Sequence, residues 1–129
     1  MKKEVVALIP TRLESKRLPG KALLELKGLP IIVHTAKRTL MSKKVDRVYV
    51  CTDNKKIIEI CNTHNINTIK TKKYFNNGTE RIASVAHKFK GCHIIDVQGD
   101  EPFIDPKNID MLIEFHQKKK NLILLYLIY

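Results

Sequence analysis

Short apolar runs alternate with helix-periodic segments along the whole chain, and that alternation constrains the fold more than any other feature. Val5–Ile9 is continuously apolar and reads as a strand buried on both faces. Arg47–Cys51, Asn67–Lys70 and His93–Val97 read as further strands, and Leu122–Ile128 is a last apolar run. Between the first two strands, Pro30 takes a first-turn position before Ile32, Val33, Ala36 and Leu40. Thr52-Asp53-Asn54 offers N-caps, with Asp53 read as a cap, to a helix carrying Ile57, Ile58 and Cys61. Asn76-Asn77-Gly78 reads as a turn, after which Thr79 opens a helix with Ile82, Val85, Ala86 and Phe89 on one face. Asp105-Pro106 starts another, with Ile109, Leu112, Ile113 and His116 aligned. Strands separated by helices of this length predict an α/β fold with a mostly parallel, doubly wound sheet.

At 129 residues the chain has room for one domain. The formal net charge of +11 comes mainly from scattered lysines with no aromatic residues between them, which reads as a solvated surface and not a nucleic-acid face. Three cysteines without CxxC spacing read as small core residues in a reducing compartment. Met1-Lys2-Lys3-Glu4 leads directly into the first strand with no signal-peptide core, so the expected location is the cytoplasm. Leu122–Ile128 is too short to cross a membrane. A bare hydrophobic strand at that place is expected either to be covered by another copy or domain, or to mark a piece of something longer. The histidines show no metal spacing and read as surface or half-buried residues.

Polar chemistry collects in loops that follow strands, where open α/β sheets bind ligands. Pro10 to Lys21 places Arg12, Arg17 and Lys21 in one loop shaped by Pro19 and Gly20. Such a loop suits a polyanion such as a nucleoside triphosphate, the other reading being solvated cations. Neither a GxGxxG nor a GxxxxGK[ST] pattern occurs. In Asn77-Gly78-Thr79-Glu80-Arg81, Gly78 permits a tight turn and Thr79 can cap. Arg81 falls in a first helical turn, against the dipole. It reads equally as a contact for an anion or base edge and as an exposed partner of a glutamate. Asp96-Val97-Gln98-Gly99-Asp100-Glu101-Pro102 puts carboxylates at a strand end. Asp100 is the candidate ligand for Mg²⁺, which needs one or two protein carboxylates when substrate phosphates complete its shell. The amide of Gln98 can read a base or a hydroxyl.

Taken together, Ile9-Pro10-Thr11-Arg12, Arg17-Leu18-Pro19-Gly20-Lys21, Gly28-Leu29-Pro30-Ile31-Ile32-Val33-His34, Thr52-Asp53, Gly78-Thr79-Glu80-Arg81 and Val97-Gln98-Gly99-Asp100-Glu101-Pro102 resemble the sugar-activating cytidylyltransferases. The Gly-Thr-Glu-Arg and Gln-Gly-Asp-Glu-Pro motifs point to the branch that activates 3-deoxy-manno-octulosonate (Kdo). The resemblance runs from about residue 4 to about residue 115. It implies the Rossmann-like nucleotide-diphosphosugar transferase fold. It also implies the reaction CTP plus Kdo giving CMP-Kdo and diphosphate, for lipopolysaccharide synthesis, with Mg²⁺ as cofactor. By motif matching, Arg12, Arg17 and Lys21 would hold the triphosphate, and Arg81 and Gln98 would contact nucleotide or sugar. Asp100 would bind Mg²⁺, and Lys21 and Asp100 would carry catalysis. Implied partners are CTP and an acidic eight-carbon sugar, with no nucleic acid or membrane, in a family that is typically homodimeric. Members of that family are longer. Residues 1–129 are therefore expected to form the N-terminal, nucleotide-binding part of a truncated cytidylyltransferase domain, without the C-terminal part for sugar binding and dimerisation. Two alternatives stay open: a non-catalytic nucleotide-binding remnant, and a cytidylyltransferase for a related acid such as 8-amino-Kdo or a sialic-type sugar.

Overall fold

Strand β1 (Val5–Pro10) is buried along its whole length, as a continuous apolar run requires. The computed structural model describes residues 3–13 and 20–118, and the backbone of residues 124–126. β1 is followed by a 3₁₀ turn (Lys21–Leu23) and a small antiparallel pair, β2 (Glu25–Leu26) and β3 (Leu29–Pro30). Then come α1 (Ile31–Leu40), β4 (Arg47–Thr52), α2 (Lys55–Thr63), β5 (Asn67–Lys70) and α3 (Gly78–Ala83). β6 (His93–Asp96), α4 (Pro106–Lys118) and β7 (Leu124–Tyr126) complete the described elements. The main sheet is parallel throughout, in the order β5-β4-β1-β6-β7. The expected mostly parallel α/β sheet is present. The last apolar run supplies β7, paired in register Ile94↔Leu124; the other residues of that run lie outside the described ones.

The two faces of the sheet are covered unequally. Val5, Ala7 and Ile9 of β1, with Ile95 of β6, pack against Ile32, Val33 and Ala36 of α1, Ile57 and Cys61 of α2, and Ile109 and Ile113 of α4. Val6, Leu8 and Ile94 face Ile82 of α3 together with Val85 and Phe89. Odd and even residues of β1 thus serve different cores, as a pleated strand buried on both sides dictates.

Several local expectations need correction. The segment after Thr79 does not form one helix. α3 ends at Ala83, and Ala86–Phe89 is a separate 3₁₀ turn. Ile82, Val85 and Phe89 are nevertheless buried as the periodicity required, because a helix followed by a 3₁₀ turn keeps the same stripe facing inward. Asn77, not Thr79, caps α3: its side chain accepts from Glu80 N at 2.8 Å, and Glu80 Oε2 accepts from Asn76 N at 3.0 Å. Asn54, not Asp53, caps α2, accepting from Ile57 N at 3.1 Å. Cys51 and Cys61 are core residues, whereas Cys92 is only half buried. His116 is buried, with its Nδ1 3.1 Å from Nδ1 of His93, so one ring donates and the other accepts. Burial, then the charge of His116 and of Lys3, depresses the His93 pKa. The β2–β3 hairpin was not anticipated. Its turn residues Lys27 and Gly28 both have positive φ, the geometry of a tight two-residue connection.

Two measurements check the packing. Ile95 has no exposed surface, and Ile95→Ala is expected to lower unfolding free energy by about 2–5 kcal/mol in urea titrations. Burial raises the Cys51 thiol to about 12 and the Cys61 thiol to about 11. Mass-spectrometric counting of alkylated thiols at pH 8 should therefore find both unmodified until denaturant unfolds the chain.

Candidate functional site

The carboxyl ends of β1 and β6 lie side by side because the two strands pair in register, Leu8↔Asp96. The chain runs from β1 to one side of the sheet and returns to β6 on the other, which opens a crevice at their ends. A cavity of about 310 Å³ lies there. Its walls come from Pro10, Thr11 and Arg12 after β1, Lys21 and Ala22 of the 3₁₀ turn, residues 75–78 with Arg81 at α3, and Gln98, Gly99 and Asp100 after β6.

Tight backbone contacts set this arrangement. A Cβ on Gly99 would overlap the Thr11 hydroxyl and come within 3.1 Å of the Pro10 carbonyl oxygen, so only glycine lets the β6 loop close against β1. A Cβ on Gly78 would sit 2.8 Å from Pro10 Cγ. Gly78 does not adopt a positive φ; it is required for close approach and not for the tight turn read from the sequence. Gly20 does, at φ 76, and its N–H donates to Leu13 O at 2.7 Å, closing the loop that returns Lys21 to the cavity. From the other side, buried α1 fixes the β6 loop: Thr35 Oγ1 donates to Gly99 O at 3.0 Å and Arg38 Nε to Ile104 O at 2.9 Å.

Of the residues singled out from the sequence, Arg12, Lys21, Arg81, Gln98 and Asp100 all line the cavity. Arg17 lies outside the described residues. Arg12 is exposed. Lys21 Nζ is 3.2 Å from Asp100 Oδ2, and both side chains are about half exposed, at 40% and 52%. An ion pair this open contributes roughly 0.2–1 kcal/mol, so either partner can exchange the other for a ligand at little cost. Among the described residues no group of three or more His, Cys, Asp or Glu side chains could hold a metal by itself. Asp100 therefore fits a cation whose remaining ligands come from a phosphorylated substrate.

Arg81 is only 4% exposed. Its Nη1 faces Thr71 Oγ1, Lys72 O at 2.8 Å and Asp53 Oδ1 at 3.5 Å, while Nη2 donates to Lys73 O at 3.3 Å. Phe75 stacks under its guanidinium carbon at 4.9 Å. Burial lowers its pKa, Asp53 raises it and Arg12 lowers it again. The described bonds of Arg81 thus tie residues 71–75 to the cavity wall. Asp53, read as a helix cap, serves here as its carboxylate partner.

Asp96 and Thr79 were not assigned to the site. Asp96 has no exposed surface, and its carboxylate accepts from Thr79 Oγ1 at 3.2 Å and from Gln98 Nε2 at 3.1 Å. Burial raises its pKa, and the two hydrogen bonds partly offset this. Its place on the α3 face followed from strand alternation; its two partners did not.

The family model described as Cytidylyltransferase matches residues 6–124. The chain belongs to the cytidylyltransferase family. This cytidylyltransferase chain is 42% identical over 111 residues to the 3-deoxy-manno-octulosonate cytidylyltransferase of Chlorobium phaeobacteroides, covering 86% of this chain and 45% of that protein. It is also 42% identical over 114 residues to the enzyme of the same name from Neisseria meningitidis serogroup A, with the same coverage. A solved structure of CMP:2-keto-3-deoxy-manno-octonic acid synthetase complexed with CTP superposes with a TM-score of 0.88 at 34% identity, over 93% of this chain and 50% of that one. The cytidylyltransferase chain therefore spans about half the length of the relatives it matches. Its fold is the α/β nucleotidyltransferase fold expected from the motifs. No helix among the described residues is long and apolar enough to cross a membrane.

The close approach at Gly99 gives a direct test. Gly99→Ala is expected to lower stability by about 1–3 kcal/mol through overpacking against Thr11. It should also weaken nucleotide binding to the remaining folded protein, read by urea titration and calorimetry on the same sample.

Proposed function

We propose that this chain binds CTP at the ends of β1 and β6 and supplies the nucleotide half of cytidylyl transfer to Kdo. The observation that carries the reading is the convergence of Arg12, Lys21, Gln98 and Asp100, far apart in sequence, on one cavity whose backbone leaves no room for side chains at residues 78 and 99. The cations suit a triphosphate and the amide suits a base. The relatives named above, at 42% identity, direct the choice of sugar to Kdo.

Arg12 and Lys21, with Arg17 from the same loop, hold the phosphates. Arg81 adds its charge and keeps the 71–75 segment in the wall that the nucleotide meets. In the transfer, the anomeric hydroxyl oxygen of the sugar forms a bond to the α-phosphorus, diphosphate leaves with the electrons of the broken P–O bond, and the hydroxyl proton passes to solvent. Negative charge grows on the phosphoryl oxygens and on the leaving diphosphate, where Lys21 and Arg12 oppose it. Asp100 would hold Mg²⁺, which supplies further neutralisation of phosphate charge when bound. The reaction draws on CTP and so belongs in the cytoplasm. A second reading, nucleotide binding without turnover, is favoured by one observation: the chain covers only 45% of the first relative's length.

Isothermal titration of the chain with CTP in the presence of Mg²⁺ is expected to show one site per chain. Lys21→Ala should weaken it at least about tenfold, as loss of a charge-assisted phosphate contact does. Absence of CTP binding, or unchanged affinity in Lys21→Ala, contradicts the assignment. Diphosphate release from CTP and Kdo separates the two readings: release supports transfer, and binding without release supports the second.

A further inference from the structure

We propose that Asp96 fixes the orientation of the Gln98 amide, so that the Gln98 carbonyl oxygen faces the cavity and selects cytosine over uracil. This rests on the reading that the cavity holds a pyrimidine nucleotide. It adds to that reading a specific pair of residues and a specific discrimination.

The geometry is one-directional. An ionised carboxylate only accepts hydrogen bonds, and an amide offers donors on nitrogen and lone pairs on oxygen. Asp96 Oδ1 lies 3.1 Å from Gln98 Nε2, so the nitrogen of the amide is committed to the buried carboxylate. The other carboxylate oxygen accepts from Thr79 Oγ1, which holds the Asp96 side chain in place. Among the described residues no hydrogen bond engages Gln98 Oε1, and Gln98 is part of the cavity wall, half buried. Gln98 thus presents an acceptor. Pro10 and Gly78 narrow the cavity at this residue: a Cβ on Gly78 would lie 3.6 Å from Gln98 Nε2 and 2.8 Å from Pro10 Cγ. A flat ring fits such a slot better than a puckered sugar.

The discrimination follows from the edges of the two bases. Cytosine carries an exocyclic amine, a donor, where uracil carries a carbonyl, an acceptor. A fixed acceptor pairs with the first and repels the second. Left without Asp96, the Gln98 amide could rotate by a half turn and suit either base. A carboxylate with no exposed surface, partnered by two neutral groups, is a costly thing for a fold to keep, and fixing an amide face gives it a purpose.

The test compares affinity for CTP and UTP, each with Mg²⁺, by calorimetry on the full chain and two variants. The unaltered protein is expected to favour CTP by a factor on the order of 100 or more, because a site built around a hydrogen bond rejects the analogue that cannot make it. In Asp96→Asn the new amide can donate to Gln98 Oε1 and turn Gln98 around. The CTP/UTP ratio should fall at least about tenfold, with UTP binding improved. In Gln98→Ala the ratio should approach one, chiefly by loss of CTP affinity. A merely structural role would weaken both nucleotides alike and leave the ratio where it was. Circular dichroism identifies folded variants, and if Asp96→Asn does not fold, Gln98→Ala decides. Any folded variant that keeps the original ratio overturns the proposal, as does an unaltered protein that binds both nucleotides equally. An unaltered protein that binds neither overturns the pyrimidine-nucleotide reading itself, and this inference with it.

Discussion

The backbone of Gly99 lies against the end of β1 so closely that no side chain fits between them. The rest of the site depends on that contact. It brings Gln98 and Asp100 to the loop that carries Thr11, Arg12 and Lys21. It is held from below by the register between β1 and β6, and from the side by the Thr35 hydroxyl on the Gly99 carbonyl. Both supports are buried, so the position of Asp100, itself exposed, is set by groups that water does not reach.

The charged groups divide into two kinds by burial. Lys21 and Asp100 are open to solvent, paired loosely, and suited to exchanging each other for ligand atoms. Arg81 and Asp96 are closed off, each with its hydrogen bonds satisfied inside the protein. Removing a partner from the second kind strands a buried charge, whereas removing one from the first leaves an ordinary solvated side chain. The same loops therefore hold groups that act on a ligand and groups that shape the cavity around it.

The sheet was legible in the sequence because a strand buried on both faces must be apolar throughout, and Val5–Ile9 is. The helices on the larger core were legible through their 3.6-residue stripes, as Ile109, Ile113 and His116 of α4 illustrate. The β2–β3 hairpin was missed because strands of two residues carry no periodicity, and its only trace is the Lys27-Gly28 pair. The site residues were legible as polar groups after strands, and the family motifs joined them. What no pattern could show was which charges would be buried. The partners of Arg81 are largely backbone carbonyls of residues 72 and 73, which bear no mark in sequence. The caps went to Asn54 and Asn77 over their neighbours Asp53 and Thr79, because tertiary partners claimed the latter two.

The ion pair between Lys21 and Asp100 spans 79 positions of chain, and the bond from Thr35 to Gly99 spans 64. Loops of that length close only after the intervening strands have docked, at an entropic cost that no local contact offsets beforehand. The cavity is thus a late product of folding. No hairpin, helix or single crossover of this chain contains a partial version of it, so ligand affinity reports completion of the sheet as a whole. By mass action, a nucleotide bound there would stabilise the assembled sheet from β4 to β6 more than any one element within it.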